Sequence, residues 1–154
     1  MTIEEIFKQH DLEEKIKNTI EGVSKKPGRF NEMLDIQFVE YNSQERSVIF
    51  ELPVNEWELN PVDVLHGGIT AAMMDLSLGL FANTIGWLLG GVFSPTVNLN
   101  VNYLLPVSLK DKVLVKAQLV SSGRSLLTVN GQAMIKESGQ IVATASGTYK
   151  VIRK

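Results

Sequence analysis

The feature that most constrains the fold is a long apolar stretch, from Val64 to Leu109, that contains a single charged residue, Asp75. Such a segment either spans a membrane or forms the buried centre of a fold. Polar residues, glycines and Pro95 interrupt it too often for the roughly 20 consecutive apolar residues that each membrane span requires. We therefore expect no membrane span. The run from about Gly68 to Ile85 predicts a helix that is buried on nearly all sides.

Alternating apolar and polar residues predict strands on both sides of this helix. Before it, residues 34–52 indicate a hairpin with a polar turn at 42–46. After it, the alternation predicts strands over residues 97–103, 113–120, 127–136 and 141–152. Short turns at 121–124 (SSGR) and 137–140 (ESGQ) favour antiparallel pairing. The predicted fold class is α+β, with an antiparallel sheet of five or six strands covering one long helix.

The N-terminal residues predict an additional amphipathic helix over residues 3–20, followed by a breaker-rich link over residues 22–29. The chain has 154 residues and no internal repeat or second zone of composition. These properties predict one domain over residues 1–154. Residues 1–29 form its N-terminal helix and link, and residues 30–152 form its core.

Composition excludes several classes of function. The formal net charge is −2, and no stripe of basic residues offers a surface for nucleic acid. Cysteine is absent, which removes disulfides, thiolate nucleophiles and cysteine metal sites, and two histidines are too few for a His-rich metal centre. The acidic N-terminus does not resemble a signal peptide, so we expect a cytoplasmic protein.

Asp75 lies in the middle of the predicted helix, on a stripe of small residues. At 100° per residue the stripe consists of Ala71, Ala72, Gly79 and Ala82, with Leu78 at its edge. The opposite face is larger and is expected to meet the sheet: Met73, Leu76, Ser77 and Leu80, flanked by Met74 and Phe81. A buried carboxylate costs several kcal/mol unless it is paired. Asp75 therefore either bonds to a distant polar partner and specifies packing, or belongs to a functional site.

A second feature is the sequence His66-Gly67-Gly68 at the start of the helix. Backbone N–H groups at a helix N-terminus favour negative charge, and glycine lets a ligand approach closely, so these residues could form an oxyanion hole. A turn that needs glycine for its conformation is the alternative. Gly67 and Asp75 lie about 12 Å apart along one helix at 1.5 Å per residue. Because one carbonyl must reach both groups, the chemistry predicts a homodimer with composite sites.

Together these residues resemble the hotdog-fold acyl-CoA thioesterases of the phenylacetate-degradation (PaaI) type. The matching pattern is Asn60, His66-Gly67-Gly68 and Asp75, followed by the strand at 95–106 (PTVNLNVNYLLP). The Gly123-Arg124 turn and the last strand are also similar. The resemblance covers about residues 30–152. It implies a sheet wrapped around the helix and an edge-to-edge homodimer, which we expect to form a dimer of dimers.

The resemblance also implies roles for five residues in thioester hydrolysis. Asp75 activates water or attacks the carbonyl itself, and the backbone N–H of Gly67 in the partner polarises that carbonyl. His66 holds the loop and the thioester, although a general-base role is a rival for it. Asn60 lies where a family side chain contacts the carbonyl or the nucleophile, and Thr96 where a hydroxyl orients water.

Four further residues are expected to contact the substrate: Gly68, Arg124, Leu78 and Trp87. By resemblance, Arg124 lies near the phosphates of coenzyme A, although a solvated charge in a turn is an equal alternative. The apolar residues after the helix, including Trp87 and Phe93, suggest a fatty or aromatic acyl group, but core packing explains at least some of them.

The predicted activity needs no metal or cofactor, because a carboxylate and backbone amides suffice for thioester hydrolysis. The sequence lacks the G-x-S-x-G pattern of serine hydrolases and the glycine-rich strings of nucleotide-binding folds. One alternative of another class remains, namely a hotdog protein that binds acyl-CoA or a lipid-like ligand without hydrolysing it.

Overall fold

The computed structural model of the protein describes residues 1–24 and 26–154. Four helices and six strands follow one another along the chain: α1 (Ile3–Phe7), α2 (Leu12–Ser24), α3 (Phe30–Met33), β1 (Gln37–Asn42), β2 (Ser47–Pro53), α4 (Gly67–Leu88), β3 (Thr96–Tyr103), β4 (Lys112–Ser122), β5 (Leu126–Ile135) and β6 (Ile141–Lys150). A short 3-10 turn, Glu56–Glu58, lies between β2 and α4. The predicted hairpin, central helix and later strands are therefore present, each within a few residues of its expected bounds.

The six strands form a single sheet in the order β1-β2-β4-β5-β6-β3. Every neighbouring pair is antiparallel. The strands β1 and β3 form the two edges of the sheet. The connection from β2 through α4 therefore crosses the sheet to reach β3 at the opposite edge. This arrangement confirms the α+β class and the antiparallel sheet of six strands.

The central helix α4 packs against the inner face of the sheet, where strand alternation supplies the apolar surface. In β4, for example, Val113, Val115 and Ala117 are buried. The approach is close at Gly131 of β5, where a Cβ atom would lie 2.6 Å from Cδ1 of Leu78. Glycine at this position therefore lets the helix approach the sheet closely.

The predicted orientation of α4 is partly wrong. Leu78 and Met74 contact β5, although Leu78 was expected at the edge of the small stripe. Ala82 of that stripe is fully buried. The helix lies under the sheet on one side and under α2 on another, where the Thr19 and Thr84 hydroxyls are 2.8 Å apart. A helix that is covered on several sides gives no single apolar face from which its orientation could be predicted.

The N-terminal segment also differs from its prediction, because two helices replace the single one expected over residues 3–20. Ile6 and Leu12 are both fully buried, yet six residues apart they would point in different directions on one helix. The break between α1 and α2 lets both side chains enter the core. The second helix continues to Ser24, into the predicted link, and Lys25 of that link lies outside the described residues.

By length and composition, α4 is the one helix in residues 1–24 and 26–154 that could cross a membrane. Core helices pass the same test, and 61% of its most apolar window is buried within this fold. Its apolar character is therefore accounted for by the sheet and helices packed around it.

Candidate active site

Asp75 lies halfway along α4 and is exposed in the single chain, so the prediction of a buried carboxylate is wrong for one subunit. Its Oδ1 atom accepts a hydrogen bond of 2.8 Å from the hydroxyl of Thr96, at the start of β3. Within the described part of the chain, no Lys or Arg forms an ion pair with it. A carboxylate held by one neutral hydroxyl keeps lone pairs free to act on a substrate or a water molecule.

A groove of about 360 Å³, which we call the Asp75 groove, begins at this carboxylate. Its floor consists of two rows of α4 with a spacing of four residues: Asp75, Gly79, Asn83 and Trp87 in one row, and Ala72, Leu76 and Leu80 in the other. Phe93, Pro95 and Thr96, which follow α4 in the chain, and Phe30 and Asn31 of α3 complete the lining. The lining is mainly apolar, with the carboxylate at one end, as is typical of small-molecule sites.

Asn83 of α4 links the helix to the segment that follows it, which includes Ser94. Its Oδ1 accepts from the backbone N–H of Ser94 at 2.8 Å, and its Nδ2 donates to the Gly79 carbonyl at 2.9 Å. A weaker contact of 3.3 Å joins Nδ2 to the Ser94 carbonyl. Because Thr96 follows two residues later, these bonds fix the place from which its hydroxyl reaches Asp75.

Tyr149 lies beneath the site on β6 and is paired across the sheet with Thr96. Its side chain is fully buried, and its hydroxyl has no hydrogen-bond partner among the described residues. Burial raises the pKa of Tyr149, and the negative charge of Asp75 raises it further. Since each cause disfavours the phenolate, this hydroxyl stays protonated beneath the carboxylate.

The sequence His66-Gly67-Gly68 forms the start of α4, with His66 as its N-cap. The imidazole Nδ1 accepts from the Gly68 N–H at 2.9 Å, so that donor is engaged within the chain. The Gly67 N–H has no acceptor in the described part of the chain. Of the two glycines, Gly67 is therefore the one that can offer its N–H to a ligand, at a helix end that favours negative charge.

The loop before His66 is held by a buried acid. Oε2 of Glu58 accepts from the Asn55 N–H at 2.7 Å, and the Glu58 carbonyl accepts from the His66 N–H at 2.9 Å. Burial raises the pKa of Glu58, while the bond from Asn55 opposes this rise. Nearby, Oδ1 of Asn60 accepts from the N–H groups of Val62 and Val64 at 3.0 and 3.3 Å. The Asn60 amide nitrogen has no acceptor in the described residues and can donate to a ligand.

The structure brings some of the predicted site residues together and separates others. Asp75, Thr96 and Trp87 share the Asp75 groove. Gly67 and His66 lie apart from this groove, at the start of α4, and Asn60 lies in the loop that precedes the helix. Leu78 has no exposed surface and packs on the sheet, so its expected place in a substrate pocket is wrong for the single chain. Arg124 is exposed in the β4–β5 turn, where its carbonyl accepts from Arg153 at 2.8 Å.

Several residues of the site were not predicted, among them Asn83, Phe30, Asn31 and Tyr149. Phe30 and Asn31 belong to a helix that has no clear signal in the sequence, and only the fold carries it to α4. For Tyr149, an aromatic residue in a strand, nothing in the sequence indicates that it faces an acid 74 positions earlier. No group of three or more His, Asp or Glu side chains that could hold a metal ion occurs in residues 1–24 and 26–154.

Comparison with solved structures identifies the fold. The Escherichia coli PaaI protein from the phenylacetic acid degradation operon superposes with a TM-score of 0.77, covering 92% of this chain and 96% of that one at 17% identity. A Streptococcus mutans protein, smu.793, solved with acetyl-CoA bound, gives a TM-score of 0.66 at 26% identity, covering 77% and 91% of the two chains. These superpositions show that the chain has the hotdog fold, which the PaaI protein also adopts.

Comparison of the sequences agrees. The family model of the thioesterase superfamily matches residues 63–142, a little over half of the chain. The human protein acyl-coenzyme A thioesterase 13 is 28% identical over 103 residues, which are 66% of this chain and 70% of the relative. The chain belongs to the thioesterase superfamily and is by class a thioester hydrolase.

Proposed function

We propose that the protein hydrolyses acyl-CoA thioesters to a free acid and CoA, with Asp75 as general base or nucleophile. The observation that carries the proposal is the Asp75 carboxylate, held by Thr96 at one end of an apolar groove. The name of the human relative and the acetyl-CoA bound to the Streptococcus mutans protein support a CoA thioester as substrate. Hydrolysis then needs water, this carboxylate and an oxyanion donor, and it calls on no metal or cofactor.

The oxyanion donor in this proposal is the backbone N–H of the partner subunit's Gly67. The strand β3 runs beside α4 from Thr96, at Asp75, to Tyr103, which lies 3.5 Å from an ideal Cβ on Gly67. β3 is also a sheet edge with exposed apolar residues, Val97 and Tyr103 among them. Antiparallel pairing of two β3 edges brings the Asp75 end of one chain beside the Gly67 end of the other. A homodimer therefore completes two sites, and two such dimers form the expected tetramer.

The supporting residues take roles that suit their contacts. Thr96 orients the carboxylate, His66 holds the Gly67 loop by its bond to Gly68, and Asn60 offers its amide to the substrate. Arg124 remains the proposed contact for CoA phosphates, on the strength of the family resemblance alone. A cytoplasmic location is part of the same proposal.

Replacing Asp75 by Asn tests this function. We expect kcat on an acyl-CoA panel, followed by release of the free thiol, to fall by about 10²- to 10⁴-fold, the usual contribution of a general base. Binding of dodecanoyl-CoA, measured by equilibrium dialysis, should persist. Asp63→Asn is the matched control, because Asp63 is exposed and its φ of +58° suits asparagine.

The outcomes separate the proposal from its alternatives. Loss of turnover with retained binding in Asp75→Asn supports catalysis by this carboxylate. Retained turnover in that variant contradicts the role of Asp75. A wild-type protein that binds acyl-CoA but hydrolyses none of the panel is the non-catalytic binding protein instead.

A further inference from the structure

We infer that the Asp75 groove holds the acyl chain of the substrate, and that Phe30 of α3 covers this chain and gives the enzyme its preference for long apolar acyl groups. This inference rests on the proposed function and adds the substrate class and a specificity-determining residue. The occupant is identified by the chemistry of the lining, by the length of the groove and by the position of Phe30.

The lining of the groove suits hydrocarbon better than the pantetheine arm of CoA. Asp75, at one end, is the only charged residue among its described lining residues. The polar groups of Asn83 are already bonded to Ser94 and Gly79. A pantetheine arm carries amides that lose hydrogen bonds to water when they enter such a groove, and an alkyl chain loses none. The carbonyl of the thioester therefore lies at Asp75 and the acyl chain extends away from it.

The groove is long enough for a medium or long acyl chain. Asp75, Gly79, Asn83 and Trp87 are successive members of one row, and the twelve residue steps from the first to the last rise about 18 Å at 1.5 Å per step. An extended alkyl chain advances about 1.25 Å per bond, from a C–C bond of about 1.52 Å at a near-tetrahedral angle. A dodecanoyl chain thus spans most of the groove, whereas an acetyl group stays beside Asp75. At the far end the Trp87 indole is fixed by its bond of 2.9 Å to the Val92 carbonyl.

Phe30 is placed to cover this chain. It lines the groove, yet 45% of its surface is exposed, so an apolar occupant can bury more of its ring. The ring is supported from behind by Trp57, edge to face, with 6.3 Å between ring centroids. α3 itself is held by the Glu32 carboxylate, which accepts from the Gly28 N–H at 2.6 Å. The N-terminal segment, outside residues 63–142 that match the family, therefore supplies a wall of the site.

The test compares Phe30→Ala with Met33→Ala on dodecanoyl-CoA and acetyl-CoA. Met33 lies on the same short helix and is similarly exposed, but it does not line the groove. We expect Phe30→Ala to lower the ratio of kcat/KM for dodecanoyl-CoA over acetyl-CoA by about tenfold, as loss of a buried aromatic contact predicts. Met33→Ala should leave both values within about twofold of wild type. Thermal unfolding of both variants shows whether α3 stays folded.

A second variant tests the floor of the groove. Gly79 lines the groove, and an ideal Cβ on it lies 3.8 Å from the Tyr149 ring, an ordinary contact, so the backbone there accommodates a Cβ. Gly79→Leu should lower the same ratio at least as strongly as Phe30→Ala. An unchanged ratio in both variants overturns the inference while leaving hydrolysis by Asp75 intact. Equal losses on both substrates assign the groove to the CoA arm and also overturn it. A wild type inactive on every acyl-CoA overturns the proposed function, and this inference with it.

Discussion

Replacing Gly67 by Pro removes one backbone N–H and changes little else. Gly67 is the first residue of α4, a position that proline favours because its fixed φ suits the first helical turn. The preceding residue, His66, has φ −61° and ψ 134°, which is compatible with a following proline. The nearest atom to an added Cβ is Cε1 of Tyr103 at 3.5 Å, an ordinary contact. The variant should therefore fold, with stability close to that of the wild type.

The expected loss of activity follows from the missing donor. The Gly67 N–H has no acceptor within the described part of the chain, so its removal breaks no internal hydrogen bond. If it stabilises the developing oxyanion, its loss should lower kcat by about 10²- to 10³-fold, the usual effect of removing one such donor. Gly67→Ala keeps the N–H and adds bulk alone, so its kcat should stay well above that of Gly67→Pro.

Complementation then asks whether the donor comes from the partner. Gly67→Pro and Asp75→Asn chains are each impaired at both sites of their own homodimer. In a mixed dimer, one site combines the intact Asp75 of the first chain with the intact Gly67 of the second. Equal co-expression gives mixed dimers in half of the population, so thiol release should recover to about a quarter of the wild-type rate. No recovery on mixing, or a Gly67→Pro enzyme within about twofold of wild type, would refute the composite site.

Two further predictions concern the surroundings of Asp75. Thr96→Val removes the hydroxyl that donates to Asp75 at 2.8 Å. Because a hydrogen bond to a charged group contributes about 1.5–3 kcal/mol, kcat should fall by about tenfold or more, whereas Thr96→Ser should retain most of the activity. Equal rates for the two variants would contradict the orienting role. Gly147→Ala places a Cβ 2.6 Å from the Tyr149 hydroxyl. We expect the free energy of unfolding in urea to fall by about 1–3 kcal/mol, and to recover in part when Tyr149→Phe also removes the nearest atom. An unchanged urea midpoint would show that the ring moves freely.

The strands and the central helix could be predicted from sequence because their signals are local. Alternation along β4 and β5 requires only that one face of each strand be buried, and Val113 to Leu119 and Leu127 to Ala133 follow it. The length of α4 follows from an apolar run with no proline before Pro95. The single acid in that run, and the histidine and glycines at its start, were recognisable as a possible site on the same local grounds.

The direction in which each helix faces could not be predicted in the same way. A helical wheel gives the angles between residues but no reference to the rest of the fold, and α4 is apolar almost all round. Leu78 therefore packs on the sheet and not in a pocket, and Asp75 is exposed in the single chain. The break between α1 and α2 has the same origin, because it is the core that draws Ile6 and Leu12 to one side.

The sequence alone determined which residue types are available for chemistry: one acid on an apolar helix, glycines at the tip of that helix, and no cysteine. Only the tertiary structure decided which of them meet. Thr96 reaches Asp75 across 21 positions, Tyr149 lies beneath them on β6, and Phe30 arrives from the N-terminal segment. The physical reason is that periodicity reports burial within one element, whereas contacts between distant elements depend on how helices and sheet pack as a whole.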